Sequence, residues 1–262
     1  EIQKEIATDG AAEWDGLEIL ENRVYLVTVE YDGLVFRSEV IHGADQKPGQ
    51  TAGVTVKIYQ TTGDVSTLVV DRMHVFFDFP TPDRIQVVEM FMLSNNGQAM
   101  VLPAAEGKTI VDYKLPAGYE NLQFESGQLG QRYLPVDGGF GDTAGIAPGA
   151  GSQQVLFAYE LPYDGSAVIP LVMPLRVTSA IFMAPSDGVS LEASGLQDEG
   201  SRTVQDGTMH LYSAGGLSAG STMEIRVSGR PGGAGVVTSG APAGVFIGGG
   251  ALVLALAGTA LW

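Results

Sequence analysis

The last 32 residues of this chain, 231–262, carry no charged side chain, and every acidic or basic group lies before them. Their final twenty, residues 243–262 (AGVFIGGGALVLALAGTALW), would rise about 30 Å as a helix, the thickness of the hydrocarbon core of a bilayer. Five glycines (Gly244, Gly248, Gly249, Gly250, Gly258) weaken such a helix. Apolar residues such as Phe246, Ile247, Leu252 and Leu254 offset them, each favouring insertion by about 0.3–0.6 kcal/mol where one central charge would cost about 2.5–3.5 kcal/mol. The sequence therefore predicts a single-pass C-terminal transmembrane helix over 243–262, with a buried hairpin in a soluble core as the alternative. Gly244 and Gly248 form a G-x-x-x-G pair, and Ala251, Ala255 and Thr259 extend a small-residue stripe that lets a second helix approach closely. An integral membrane protein partner is expected along that stripe, against the plainer account that Gly and Ala are simply common in this composition.

The polar body before this tail holds a net charge of −16, from 30 acids against 14 bases. With 5 Lys and 9 Arg, none clustered, it lacks the phosphate-neutralising patch on which nucleic-acid binding relies, so no nucleic-acid partner is expected. Zero cysteines exclude disulfides and thiolate metal sites. Starting at Glu1 without a methionine, the chain reads as processed or as part of a longer one. The expected placement is a membrane-held chain with its body outside the cytoplasm.

Period-two alternation recurs from residue 23 to residue 228 and is broken every eight to twelve residues by Gly, Pro, Asn or Asp, which argues an all-β chain of consecutive antiparallel sandwiches. The clearest unit is a hairpin in which Tyr25, Val27 and Val29 share one face and Asp32-Gly33 supplies a type I′ turn. Val54, Val56 and Ile58 predict a half-buried strand, as do Met223, Ile225 and Val227 near the end of the body. Both parities are apolar in 65–79 and 85–93, so those strands should be central and covered on both sides. The glycine-rich stretch 137–151 (DGGFGDTAGIAPGAG) is expected to be a long surface loop. Turn-rich breaks suggest regions at 1–48, 49–104 and 105–229, then a glycine-rich linker at 230–242 ahead of the helix.

Residues 7–38 (ATDGAAEWDGLEILENRVYLVTVEYDGLVFRS) resemble the second half of a carboxypeptidase-regulatory-like, transthyretin-like β-sandwich. Thr8-Asp9-Gly10, Trp14, Leu17 and the run from Tyr25 to Gly33 carry the likeness, with the turn spacing approximate and the first strands of the family lacking. The resemblance implies a partial carboxypeptidase-regulatory-like sandwich at 1–48 and a non-catalytic role, within a chain of Ig-like or transthyretin-like modules.

Candidate chemistry is sparse. Gly216-Leu217-Ser218-Ala219-Gly220 matches the G-x-S-x-G elbow, but a strand should follow it and His42, His74 and His210 all precede the serine, so a turn explains it better. Met73-His74 and Met209-His210 pair a thioether with an imidazole, which suits copper. Adjacent strand residues point to opposite faces, however, so a site would need to be built across strands, for example from His74, Met90 and Met92. Asp9, Glu13 and Asp15, or Asp198, Glu199 and Asp206, could offer oxygens to calcium but lack EF-hand spacing. Glu89 shares parity with Ile85, Val87, Phe91 and Leu93, where an ionised carboxylate needs a partner; Arg72 or Arg84 is expected to pair with it. The run from Gly139 to Ala144 mimics a dinucleotide fingerprint without the strand and helix that motif requires.

No residue set therefore predicts catalysis, and no cofactor is called for. The leading expectation is a membrane-anchored accessory or structural subunit acting by protein contact. Two alternatives remain: a glycan or envelope-polymer binder using Trp14, Tyr119, Tyr133, Tyr159 and Tyr163 as a stacking platform, and a periplasmic copper-handling protein.

Overall fold

The computed structural model describes residues 10–47, 49, 51–204 and 207–232. The expected helix 243–262, its stripe from Gly244 to Thr259 and the linker beyond Gly232 lie outside the described residues. Among the described residues no helix is long and apolar enough to cross a membrane. The described residues are all-β, with a 3-10 turn at Gly43–Asp45 as the helical element among them. It divides into two compact units, 1–59 and 60–262.

In the first unit β1 (Val24–Tyr25) pairs with β4 (Ile41–His42), and β2 (Thr28–Tyr31) pairs with β3 (Leu34–Arg37), both antiparallel. Asp32 at φ 51° and Gly33 at φ 74° close the β2–β3 hairpin, the left-handed pair that a type I′ turn requires. Tyr25 secures the entry to this unit: its hydroxyl accepts from the Leu20 amide at 2.7 Å and donates to the Glu18 carbonyl at 3.2 Å. The strand expected around Val54–Ile58 does not form, because residues 51–60 join no ladder. Alternation specifies which side chains would share a face; it supplies no neighbour to bond the backbone.

The second unit runs through β5 (Thr61–Thr62), β6 (Leu68–Thr81), β7 (Arg84–Asn95), β8 (Met100–Val101), β9 (Val111–Lys114), β10 (Glu120–Phe124), β11 (Tyr133–Val136) and β12 (Gly139–Asp142). It continues with β13 (Gly149–Pro162), β14 (Ser166–Val172), β15 (Val177–Pro185), β16 (Val189–Glu192), β17 (Gln197–Val204), β18 (Gly207–Leu217) and β19 (Thr222–Gly229). Seven strands form the main sheet in the order β10-β13-β7-β6-β15-β18-β17. Every neighbouring pair in it is antiparallel except β6 and β15. Strands from both sides of residue 104 share this sheet, so the stretches 49–104 and 105–229 are not separate modules.

Two three-stranded sheets, β11-β12-β9 and β14-β19-β16, contribute to one continuous core with the main sheet. Phe91 and Phe157 of the main sheet meet Tyr113 edge-on at 5.1 and 5.6 Å, and Phe140 meets Phe157 at 4.8 Å. Edge-to-face contacts of this kind add about 0.5–1.5 kcal/mol each beyond the area they bury. In β19, Met223, Ile225 and Val227 point inward while Thr222, Glu224 and Arg226 are exposed, as the alternation predicts.

β6 and β7 are buried on both faces, as their double apolar parity requires. The second face of the main sheet carries its own cluster: Val88, Met90, Leu156, Ala158, Met183, Met209 and Leu211.

The stretch 137–151 corrects the sequence expectation. It is not a surface loop: Gly139–Asp142 is the central strand of the β11-β12-β9 sheet, and Phe140 within it is fully buried. A Cβ on Gly139 would collide with the Tyr113 carbonyl oxygen, and one on Gly141 with the Thr109 side chain. These glycines let backbones approach closely, which turn statistics do not distinguish from looseness.

Candidate functional site

Three polar constellations fall within the second unit, and each rests on a different strand pairing. The first is Glu89, which register sets opposite Val75 and Phe157 on the aromatic face of the sheet. Neither expected arginine reaches it. Arg72 lies on the other face, opposite Met92, and Arg84 bonds Glu120 at 2.7 Å on the surface. Glu89 Oε1 instead accepts from the Tyr159 hydroxyl at 2.9 Å. Burial pushes the Glu89 carboxyl up to about 7, and the Tyr159 bond only partly opposes that shift. Nearby, Arg132 closes a two-pronged clasp on Asp142 at 2.9 and 2.7 Å and lies over the Tyr133 ring at 4.9 Å. That hydrogen bond to Asp142 holds the guanidinium above its usual range. Tyr113 and Tyr133 keep buried hydroxyls without a partner, and burial pushes Tyr133 up to about 12. This group is a polar inclusion in an aromatic core.

The second constellation lies on the β17–β18 edge hairpin. Ser201 Oγ is 3.2 Å from His210 Nδ1, and His210 Nε2 is 2.7 Å from Asp198 Oδ1. The order serine, imidazole, carboxylate is that of a hydrolytic triad. The Asp198 side chain is 63% exposed, however, so water competes for the carboxylate that would have to orient the imidazole. Asp198 also accepts from the Gly200 amide at 2.7 Å, and this bond, ahead of His210, lowers its pKa. Ser201 faces His210 by cross-strand register, which no spacing in the sequence reveals.

The third is His74 on the methionine-rich face. It is 2% exposed, and both ring nitrogens are buried without a hydrogen-bond partner. Met90 is its direct register partner, and Met92, opposite Arg72, lies diagonally across from it on the same face. Register thus places on one face the three residues that a cross-strand copper site would need, with His74 on a central strand. Burial, reinforced by the Arg72 charge, pushes the His74 imidazole down to about 4.

The remaining candidates resolve into structure. Ser218 lies in the turn between β18 and β19, where its carbonyl accepts from the Ser221 amide and hydroxyl. Asp9 and Asp206 lie outside the described residues, and Glu199 accepts from Ser213 at 2.6 Å. Among the described residues no three His, Asp or Glu side chains converge on a possible cation. The proposed aromatic platform does not exist as a surface: Tyr133, Tyr159 and Tyr163 are buried, and Tyr119 packs against the core. Tyrosines at these positions lie on inward parities, which their own neighbourhoods in the sequence do not disclose.

No protein-family profile and no curated protein matches this chain. Among solved structures it is similar to the M1 zinc metallopeptidase of Deinococcus radiodurans, at 12% identity and a TM-score of 0.35 over 62% of this chain and 42% of that one. A mutant of the same enzyme bound to a Tyr-Ser-Ala substrate gives the same identity and TM-score over 43% of its length. The chain thus spans less than half the length of these structures, and likeness at this level carries neither fold nor activity across.

Proposed function

We propose that this chain is an extracytoplasmic β-sandwich protein held at a membrane by its C-terminal apolar segment and acting as an accessory or structural subunit through protein contact. The observation that carries this reading is the uncharged run of residues 231–262 behind a strongly acidic body. Further support comes from how the polar side chains of the body are used: Arg84 with Glu120, Arg132 with Asp142 and Glu89 with Tyr159 are bound to one another. On this reading residues 1–48 are a partial carboxypeptidase-regulatory-like module, the second unit an Ig-like or transthyretin-like sandwich, and residues 243–262 the anchoring helix. Its small-residue stripe meets an integral membrane partner.

Membrane fractionation tests the anchor. The full chain should resist alkaline extraction and require detergent, whereas residues 1–232 should stay soluble. Gly248→Leu should then reduce co-purification of the membrane partner severalfold, because a bulky side chain on the stripe holds the helices apart. Full-length protein that remains in the aqueous phase without detergent overturns the proposal.

A further inference from the structure

The His74 environment is costly as it stands. Both ring nitrogens are buried without a partner, so each forfeits the hydrogen bond it would make in water. Of the residues that register places around it, Arg72 and Ser179 are the polar ones, and neither bonds a ring nitrogen. Register gives it Met90 on one side and Ile181 on the other, Arg72 and Phe76 lie before and after it on the same face, and Met92 and Met183 stand at the diagonals. Directly opposed Cβ atoms in such a ladder are about 4.5–5.5 Å apart, and diagonal residues are about 7–8 Å apart, within reach of long side chains. The Met90 thioether can therefore meet the His74 imidazole directly, and the Met92 thioether, whose methyl lies toward Gly151 of β13 on the other side of β7, joins them by a change of rotamer.

We infer that His74, Met90 and Met92 form a binding site for a soft monovalent metal ion, copper(I). Thioether ligands select copper(I), and imidazole complements them. Arg72 on the same face adds a positive charge that a monovalent guest tolerates better than a divalent one. Access is provided at the margin. Met92 is only half-buried, and its terminal methyl lies 3.6 Å from where a Cβ on Gly151 would be, beside the exposed start of β13 and the register shift between Gly149 and Gln153. The inference stands independently of membrane attachment.

Anaerobic titration of the purified full chain with copper(I), against bicinchoninate as competing chelator, should show uptake of one equivalent. M90L and M92L preserve side-chain volume and so the fold, and each should weaken binding at least tenfold; H74L should abolish it. X-ray absorption of the loaded protein should give a mixed nitrogen and sulfur shell. Silver(I), added to the unsubstituted protein, should shift the His74 ring resonances, a readout that needs no variant. Absence of stoichiometric uptake, or equal affinity in the parent and all three variants, overturns the assignment.

Discussion

The two faces of the seven-stranded sheet are built from different chemistry. One packs Phe91, Phe157 and Tyr159 against Tyr113 and Phe140 of a second layer, in rings that must meet at defined angles. The other presents Met90, Met183 and Met209 with Val88, Leu156 and Leu211. Aromatic rings bring large area and fixed geometry, whereas methionine adapts to irregular space. The polar intruder differs accordingly: Glu89 on the rigid face has a tyrosine hydroxyl placed for it, and His74 on the pliant face has none. Rigid packing places a partner for the Glu89 carboxyl but leaves the Tyr113 and Tyr133 hydroxyls of the same core without one, and on the pliant face the His74 imidazole is surrounded without being satisfied.

Substitutions at neighbouring strand positions test this contrast most directly. Phe157→Ala empties the centre of the aromatic face and should cost about 3–5 kcal/mol in denaturant unfolding of the second unit. A loss below about 2 kcal/mol would mean that this face collapses as easily as the other.

The next effect is on pH dependence. The Glu89 carboxyl ionises near 4.5 when exposed and near 7 in the fold, so the folded state holds a proton that the unfolded state has released between those values. Stability should therefore be unaffected by this group below about pH 4.5, fall as pH rises toward 7, and level off above it, by about 3 kcal/mol in total. E89Q should flatten that slope. An unchanged stability profile from pH 4.5 to 8 in the variant would assign the dependence elsewhere.

The smallest change is expected at Met183, fully buried on the methionine face. Met183→Leu conserves volume and should shift stability by less than about 1.5 kcal/mol. A larger loss would show that this face, too, is shaped to individual side chains.

Much of this architecture was legible in the residue pattern. Asp32-Gly33 announced its turn, β19 showed its alternation, and the double apolar parity of β6 and β7 marked them as central, because each signal is local and physical. What stayed hidden depends on pairing. The partner of Glu89 is on β13, the partner of Ser201 is on β18, and the closeness of Gly139 to Tyr113 arises from a ladder between β9 and β12. The run 51–60 failed for the same reason in reverse, having a strand's pattern and no ladder. The His74, Met90 and Met92 grouping was accessible because β6 and β7 are consecutive strands, so one hairpin determines it.

The parallel seam between β6 and β15 has a kinetic consequence. Val70 is bonded alongside Val177, so the β6–β7 hairpin must wait for a distant segment before its free side is covered. During synthesis the apolar flank of β6 would stand open to the backbone of any other chain, and long-range closure of this type is slow. That flank is closed only once residues 177–183 are available to pair with it.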